Sequence, residues 1–166
     1  SSKKSDIVEA AFVNAAFWFI PASALKKVGG FSPLFFHYGE DVDYIHRMRF
    51  YGYRVGYTPL TSGCHDRQNR PITRETQMKL DRVYYLSVVS DLNSGLAKCL
   101  WGGLAPLKPG MLALLRGRFK EFCFYTGTSV RLLCRYLSIA EIKRFCKQGR
   151  PVFLENVHSK IKPIWS

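Results

Sequence analysis

The eight residues VYYLSVVS, Val83 to Ser90, constrain this chain more than any other stretch. They sit in the middle of a segment with the marks of one long helix. Thr73 is placed to cap its start, the segment runs to about Leu92, and Gly95 lies just beyond. Eight residues make a little over two turns, so these side chains point in almost every direction around the axis. A helix apolar around most of its circumference must be covered on all sides, by protein or by lipid.

The rest of the chain can supply protein cover. It has 166 residues and is 47% hydrophobic, enough for a globular unit with its own core. A second helix is predicted over 110–126, with Leu112, Leu115, Phe119 and Phe122 as its apolar stripe. A third would gather Val130, Leu133, Cys134 and Leu137. A fourth is predicted to open on a capping box of Ser138 and Glu141, stapled by Leu137 and Ile142, and to end at Gly149 and Pro151. The longest apolar run, CLWGGLAPLKPGMLALL, is broken by Lys108, two prolines and several glycines, so no stretch reads as a transmembrane helix. Nor does any segment have the form of a signal peptide. The polar opening SSKKSD reads as a cut end, so a longer natural chain is expected. The five cysteines are odd in number and form no CxxC pair, which disfavours a disulfide framework or a structural zinc site and suits a reducing compartment. Most are expected to be small core residues.

The first seventy residues have a different character. AFVNAAFWFI, residues 11–20, reads as a buried strand stopped by Pro21. Ser23 is placed to cap a short helix from Ala24 to Val28, ended by Gly29 and Gly30. The aromatic loop FSPLFFHYG follows, then a helix from Glu40 to Tyr51, stopped by Gly52. YRVGYTP reads as a second strand, and TSGCHDRQNRP as a polar loop.

Chemistry concentrates where the aromatic loop meets the second of these helices. Glu40, Asp41 and Asp43 crowd a first helical turn directly after His37 and Tyr38. Carboxylates at different depths in a cleft can have their pKa values pushed apart, and one can then serve as a general base. The same trio is also what a helix macrodipole favours in its first turn, as capping without chemistry. Both readings stand on composition alone.

The order of the pieces discriminates further. Strand, short helix, VGGF, aromatic loop, GEDVD, helix, GYRVGYTP and then Cys64-His65 together resemble the inverting family 2 glycosyltransferases of the GT-A fold. The closest likeness is to rhamnosyltransferase-like and galactofuranosyltransferase-like members, over residues 11–66. The resemblance implies an α/β fold class: residues 1–70 as the acceptor-side part of a nucleotide-diphospho-sugar transferase domain with few strands, and residues 71–166 as a basic helical region. It implies Asp41 as catalytic base with Glu40 beside it. Acceptor contacts fall to Asp43, Tyr38, His37, Trp18 and Asn14, although Asp43 equally suits support of the helix start. His65 matches a metal ligand used by some relatives. The implied cofactor is a divalent cation, Mn or Mg, bound mostly by a preceding half that carries the family's Asp-x-Asp motif and the donor site. The only Asp-x-Asp here is Asp41-Val42-Asp43, which follows the aromatic loop. Without that half the isolated chain is expected to be inactive, and its sheet edge either exposed or paired in a homodimer.

Charge points to the partners. The formal net charge is +13, and from Lys98 onward thirteen Lys and Arg face three Glu. An anionic partner follows: lipid headgroups, nucleic acid or a phosphorylated substrate. The resemblance implies a nucleotide-diphosphate sugar donor and a glycan or lipid-linked acceptor, handled in the cytoplasm with peripheral contact to the inner face of the membrane. A nucleic-acid module would interleave basic and aromatic residues on one face, and here the acidic trio occupies the best aromatic cluster. A membrane-surface module without catalysis would expose one continuous apolar stripe over 110–148.

Overall fold

The computed structural model describes residues 7–35, 38–64, 71–149 and 153–154. The order is β1 (Val8–Glu9), α1 (Ala22–Val28), α2 (Glu40–Phe50), β2 (Gly56–Tyr57), α3 (Arg74–Ser90), α4 (Leu96–Leu104), α5 (Leu107–Leu115), α6 (Phe119–Cys134) and α7 (Tyr136–Lys147). The α/β class expected from the sequence is therefore corrected. Among the described residues the chain is helical, with one antiparallel pair that joins Val8 to Tyr57 and Glu9 to Gly56.

The correction turns on residues 11–20. A strand needs a neighbour for its backbone N–H and C=O groups, and beyond Ala10, which bonds to the Val55 carbonyl at 2.9 Å, regular pairing stops. The segment instead runs irregularly, with Phe12, Phe17 and Phe19 exposed. Its apolar residues fit a strand in composition, but among the described residues no partner strand is there to receive it.

The long helix is covered on most of its circumference but not on all sides, since Tyr84 is 63% exposed. α3 packs against α2, α4, α6 and α7. Leu86 and Val89 are fully enclosed, in a core shared with Leu34, Phe35, Leu92, Leu132, Ile139, Ile142 and Cys146. Burying a side chain of this size stabilises by about 1.5–3 kcal/mol. Ser87 and Ser90 enter the interior by bonding their hydroxyls back to the carbonyls of Tyr84 and Ser87, at 2.8 and 3.4 Å. Thr73 caps α3 as its sequence predicts, its Oγ1 accepting from Thr76 N at 3.2 Å. Thr73→Ala is expected to lower stability by about 1 kcal/mol in urea unfolding, while Thr73→Ser keeps the acceptor and most of the stability.

The later helices divide differently from their sequence pattern. The span predicted as one helix over 110–126 is broken at Arg116–Arg118, where Gly117 takes φ 68°. Leu112 and Leu115 thus fall on α5, and Phe119 and Phe122 on α6. The inward face of α6 is Glu121, Tyr125, Thr128, Ser129 and Leu132; Val130, Leu133 and Cys134 of the predicted third helix are exposed. α7 starts at Tyr136, so Ser138 lies inside its first turn and the predicted capping box does not form. Leu137 is exposed, while Ile139, Ile142 and Cys146 point inward. Gly149, at φ 67°, ends α7 where the sequence places its stop.

Close backbone approach holds α4 and α5 onto their neighbours. A Cβ on Gly103 would sit 3.0 Å from Leu133, and one on Gly110 would sit 3.3 Å from Tyr125. α6 therefore runs antiparallel to the α4–α5 pair. Ser129 Oγ donates to the Gly103 carbonyl at 2.6 Å. At the other end of the molecule, the Tyr51 hydroxyl donates to the Cys146 carbonyl and accepts from Gly149 N at 2.9 Å.

Of the cysteines, Cys99 and Cys146 are buried, whereas Cys64, Cys123 and Cys134 are exposed, so most are not core residues as expected. Burial pushes the Cys146 thiol up to about 12, which leaves it protonated and unreactive.

Candidate functional site

α2 carries the acidic trio, and its local structure follows from the sequence around it. Tyr38 and Gly39 both take positive φ, 67° and 84°. Gly39 is the residue just before the helix, and its carbonyl accepts from Asp43 N at 2.9 Å. A Cβ at Gly39 would lie 2.3 Å from Val83 Cγ1 of α3, so the backbone here is pressed against the central helix. The chain thus enters α2 through two left-handed residues, an arrangement that costs energy for tyrosine and recurs at functional sites.

The three carboxylates have separate fates. Asp43 turns inward and is 4% exposed. Its Oδ2 accepts from Arg47 Nε at 2.9 Å, and its Oδ1 from Ser90 Oγ at 3.5 Å. Arg47 is itself 1% exposed and donates its other nitrogens to the carbonyls of Val28 and Gly30, at 2.9 and 2.7 Å. Tyr44 adds a bond from its hydroxyl to the Gly29 carbonyl at 3.0 Å. Burial pushes the Asp43 carboxyl above its ordinary range, and Arg47 opposes the shift. Of the two roles expected for Asp43, support of the helix start matches this geometry. Acceptor contact does not, because both oxygens are turned into the interior.

Asp41 is half-buried, and its Oδ1 accepts from Val42 N at 2.8 Å. Glu40 is also half-buried. Its Oε2 is enclosed and has no hydrogen-bond partner among the described residues. No side chain caps the start of α2 from outside the helix. Buried polar atoms are nearly always bonded, so an enclosed, unbonded carboxylate oxygen is an unusual feature that asks for a role.

The remaining predicted site residues spread out. Tyr38 is exposed at the loop end. Trp18 packs with Phe31 and Tyr44, ring centroids 6.3 and 5.8 Å away, and its Nε1 is enclosed without a partner among the described residues. Asn14 is exposed and accepts from Ala16 N at 3.1 Å in a local turn. His37 and His65 lie outside the described residues. Trp18 also lines an apolar cavity of about 910 Å³ with Phe17, Tyr44, Met48 and Tyr53. Glu40 and Asp41 are not in its lining, so this cavity and the carboxylates are separate features.

Sequence reasoning missed Arg47 as a partner of the acidic trio. The spacing of Asp43 and Arg47, one helical turn apart, was the available signal. Among the described residues no three His, Cys, Asp or Glu side chains form a group able to hold a metal. His65, the one cation ligand that the resemblance assigns to this chain, is not among those residues. Compared with protein-family models, curated proteins and solved structures, the chain matches none.

Proposed function

We propose that this chain is the acceptor-side part of an inverting glycosyltransferase, with Asp41 as general base. The observation that carries the reading is the start of α2: the half-exposed Asp41 stands beside a Glu40 oxygen that is enclosed and has no hydrogen-bond partner among the described residues. Asp43 and Arg47 fix that start from beneath, so Glu40 and Asp41 are held on a rigid element rather than on a loop.

In this reading Asp41 takes the proton of an acceptor hydroxyl on a glycan or lipid-linked sugar. The acceptor oxygen forms its bond to the anomeric carbon as the bond from that carbon to the nucleotide diphosphate breaks. The diphosphate leaves with the bonding pair from the opposite face, and the configuration inverts. Glu40 receives a hydrogen bond from a second acceptor hydroxyl on its other oxygen, the one that is not enclosed, which orients the first. The chemistry assigned to this chain is confined to that proton and that orientation.

The test is turnover by the full protein in which this chain occurs. It is incubated with a panel of nucleotide sugars, Mn²⁺ or Mg²⁺ and extracted membrane lipid, and released nucleotide diphosphate is measured. Asp41→Asn is expected to lower kcat by about 100-fold or more with unchanged thermal unfolding. Equal turnover by the variant reduces the acidic turn to a cap and removes the base assignment.

A further inference from the structure

α4 and α5 follow one another through Ala105 and Pro106, both of which keep right-handed helical backbone, with φ/ψ of −53°/−34° and −60°/−23°. They form one kinked rod. Its inner side is small: Cys99, Gly102, Gly103, Pro106, Gly110 and Ala113 are buried against α3 and α6. Its outer side is large and apolar. Leu96, Leu100, Leu104, Leu107, Met111 and Leu115 recur every three or four residues and are all exposed, with Trp101 beside them at 73% exposure. This stripe crosses the kink without a break. Monomeric soluble proteins scatter exposed apolar residues, and a continuous row of this length marks a surface that something covers.

The charges around the row identify what covers it. Between Asp91 and Glu121 the sequence has no acidic residue, while Lys98, Lys108, Arg116 and Lys120 are all exposed. Glu121 is itself buried and bonded to Arg74, at 2.6 Å for one of two contacts. A second copy in a two-fold dimer would bring these cations against their own image with no carboxylate to answer them. An anionic bilayer answers both features. Leucines and a tryptophan enter the headgroup boundary, and lysines and arginines reach from the flanks to lipid phosphates. No helix among the described residues is long and apolar enough to cross a membrane, and the outward row on this rod suits lying along one.

We infer that the outer face of α4–α5 is a docking surface for the anionic phospholipid bilayer, and that the kinked rod lies in the interface plane. The surface falls at 96–115, not along the 110–148 stripe expected from the sequence. It is independent of the transferase reading, since it uses none of the residues at the start of α2.

The test is co-sedimentation of the chain with sucrose-loaded vesicles, either of phosphatidylcholine alone or with about a third phosphatidylglycerol. The expected result is binding to the anionic vesicles that weakens with added salt. Trp101→Glu and Leu115→Glu are each expected to lower partitioning about ten-fold or more, with thermal unfolding unchanged because both sites are exposed. Lys108→Ala should lower it roughly five-fold. The inference is overturned if the anionic vesicles pellet no more protein than the neutral ones. It is also overturned if sedimentation velocity shows a dimer that the two Glu variants dissociate while no vesicle binding is seen. Turnover in the transferase assay is read separately, so either idea can fail without the other.

Discussion

Arg47→Met is expected to lower stability by about 3–5 kcal/mol, read as a fall in the urea midpoint at constant slope. Few changes elsewhere in the chain should match it. Arg47 is fully enclosed, and three of its nitrogens end on Asp43, Val28 and Gly30. Methionine roughly fills the volume of the stem but leaves two carbonyls and the Asp43 Oδ2 buried without a donor. Total stabilities of single domains are 5–15 kcal/mol, so the deficit is a large share of the whole. The loss should also depend on pH in a defined direction. Without Arg47 the buried Asp43 prefers its proton, so its pKa in the folded state rises further above the ordinary value of 3.8. A raised carboxyl contributes stability at low pH and loses it as pH climbs above the unfolded value. The deficit should therefore be smallest near pH 4 and grow toward neutrality. Adding Asp43→Asn to Arg47→Met should restore part of the loss. A deficit below about 1 kcal/mol at neutral pH would show that the knot holds nothing together.

Gly39→Ala is expected to cost about 2–5 kcal/mol, in two separable parts. The backbone at φ 84° disfavours any Cβ by about 1–2 kcal/mol. The new methyl would also meet Val83 Cγ1 at 2.3 Å and the Phe35 ring at 3.0 Å, an overpacking cost of about 1–3 kcal/mol. A double-mutant cycle with Val83→Ala separates them. The pair should recover the packing part and keep the backbone part, a coupling of about 1–3 kcal/mol. Additive losses would mean that the α2 start is not pressed on α3. Because Glu40 and Asp41 follow directly, this contact also sets where their carboxylates stand.

The helices with clear start and stop residues could be read in the sequence, and those that lack them and bury small or polar rows could not. α2 and α3 were legible because Gly52 and Thr73 punctuate their ends, although the face that α2 buries includes Asp43 and Arg47. α4 was not, since its inward face is Cys99, Gly102 and Gly103 while its leucines face out. An observer who places leucines inside turns that rod the wrong way round. α6 deceived for a related reason: Thr128 and Ser129 enter the interior by bonding to the carbonyls of Phe124 and Gly103. The strand over 11–20 failed because pairing is a property of two segments, and composition describes only one. At the candidate site the clustering of Glu40, Asp41 and Asp43 was plain, but the inward turn of Asp43 depends on Arg47, Val28 and Gly30 meeting in space.

The Tyr51 hydroxyl bonds to Cys146 and Gly149, partners 95 and 98 residues away along the chain. The Arg47 knot spans only 4 to 19 residues. These two contacts close loops of very different length, and the entropic cost of closure rises with the logarithm of that length. The α1–α2 unit can thus form early from local encounters, as low-contact-order units do. The Tyr51 bonds close the longer loop at the greater entropic cost, so they tie the last turn of α7 back to the unit that begins at Val28.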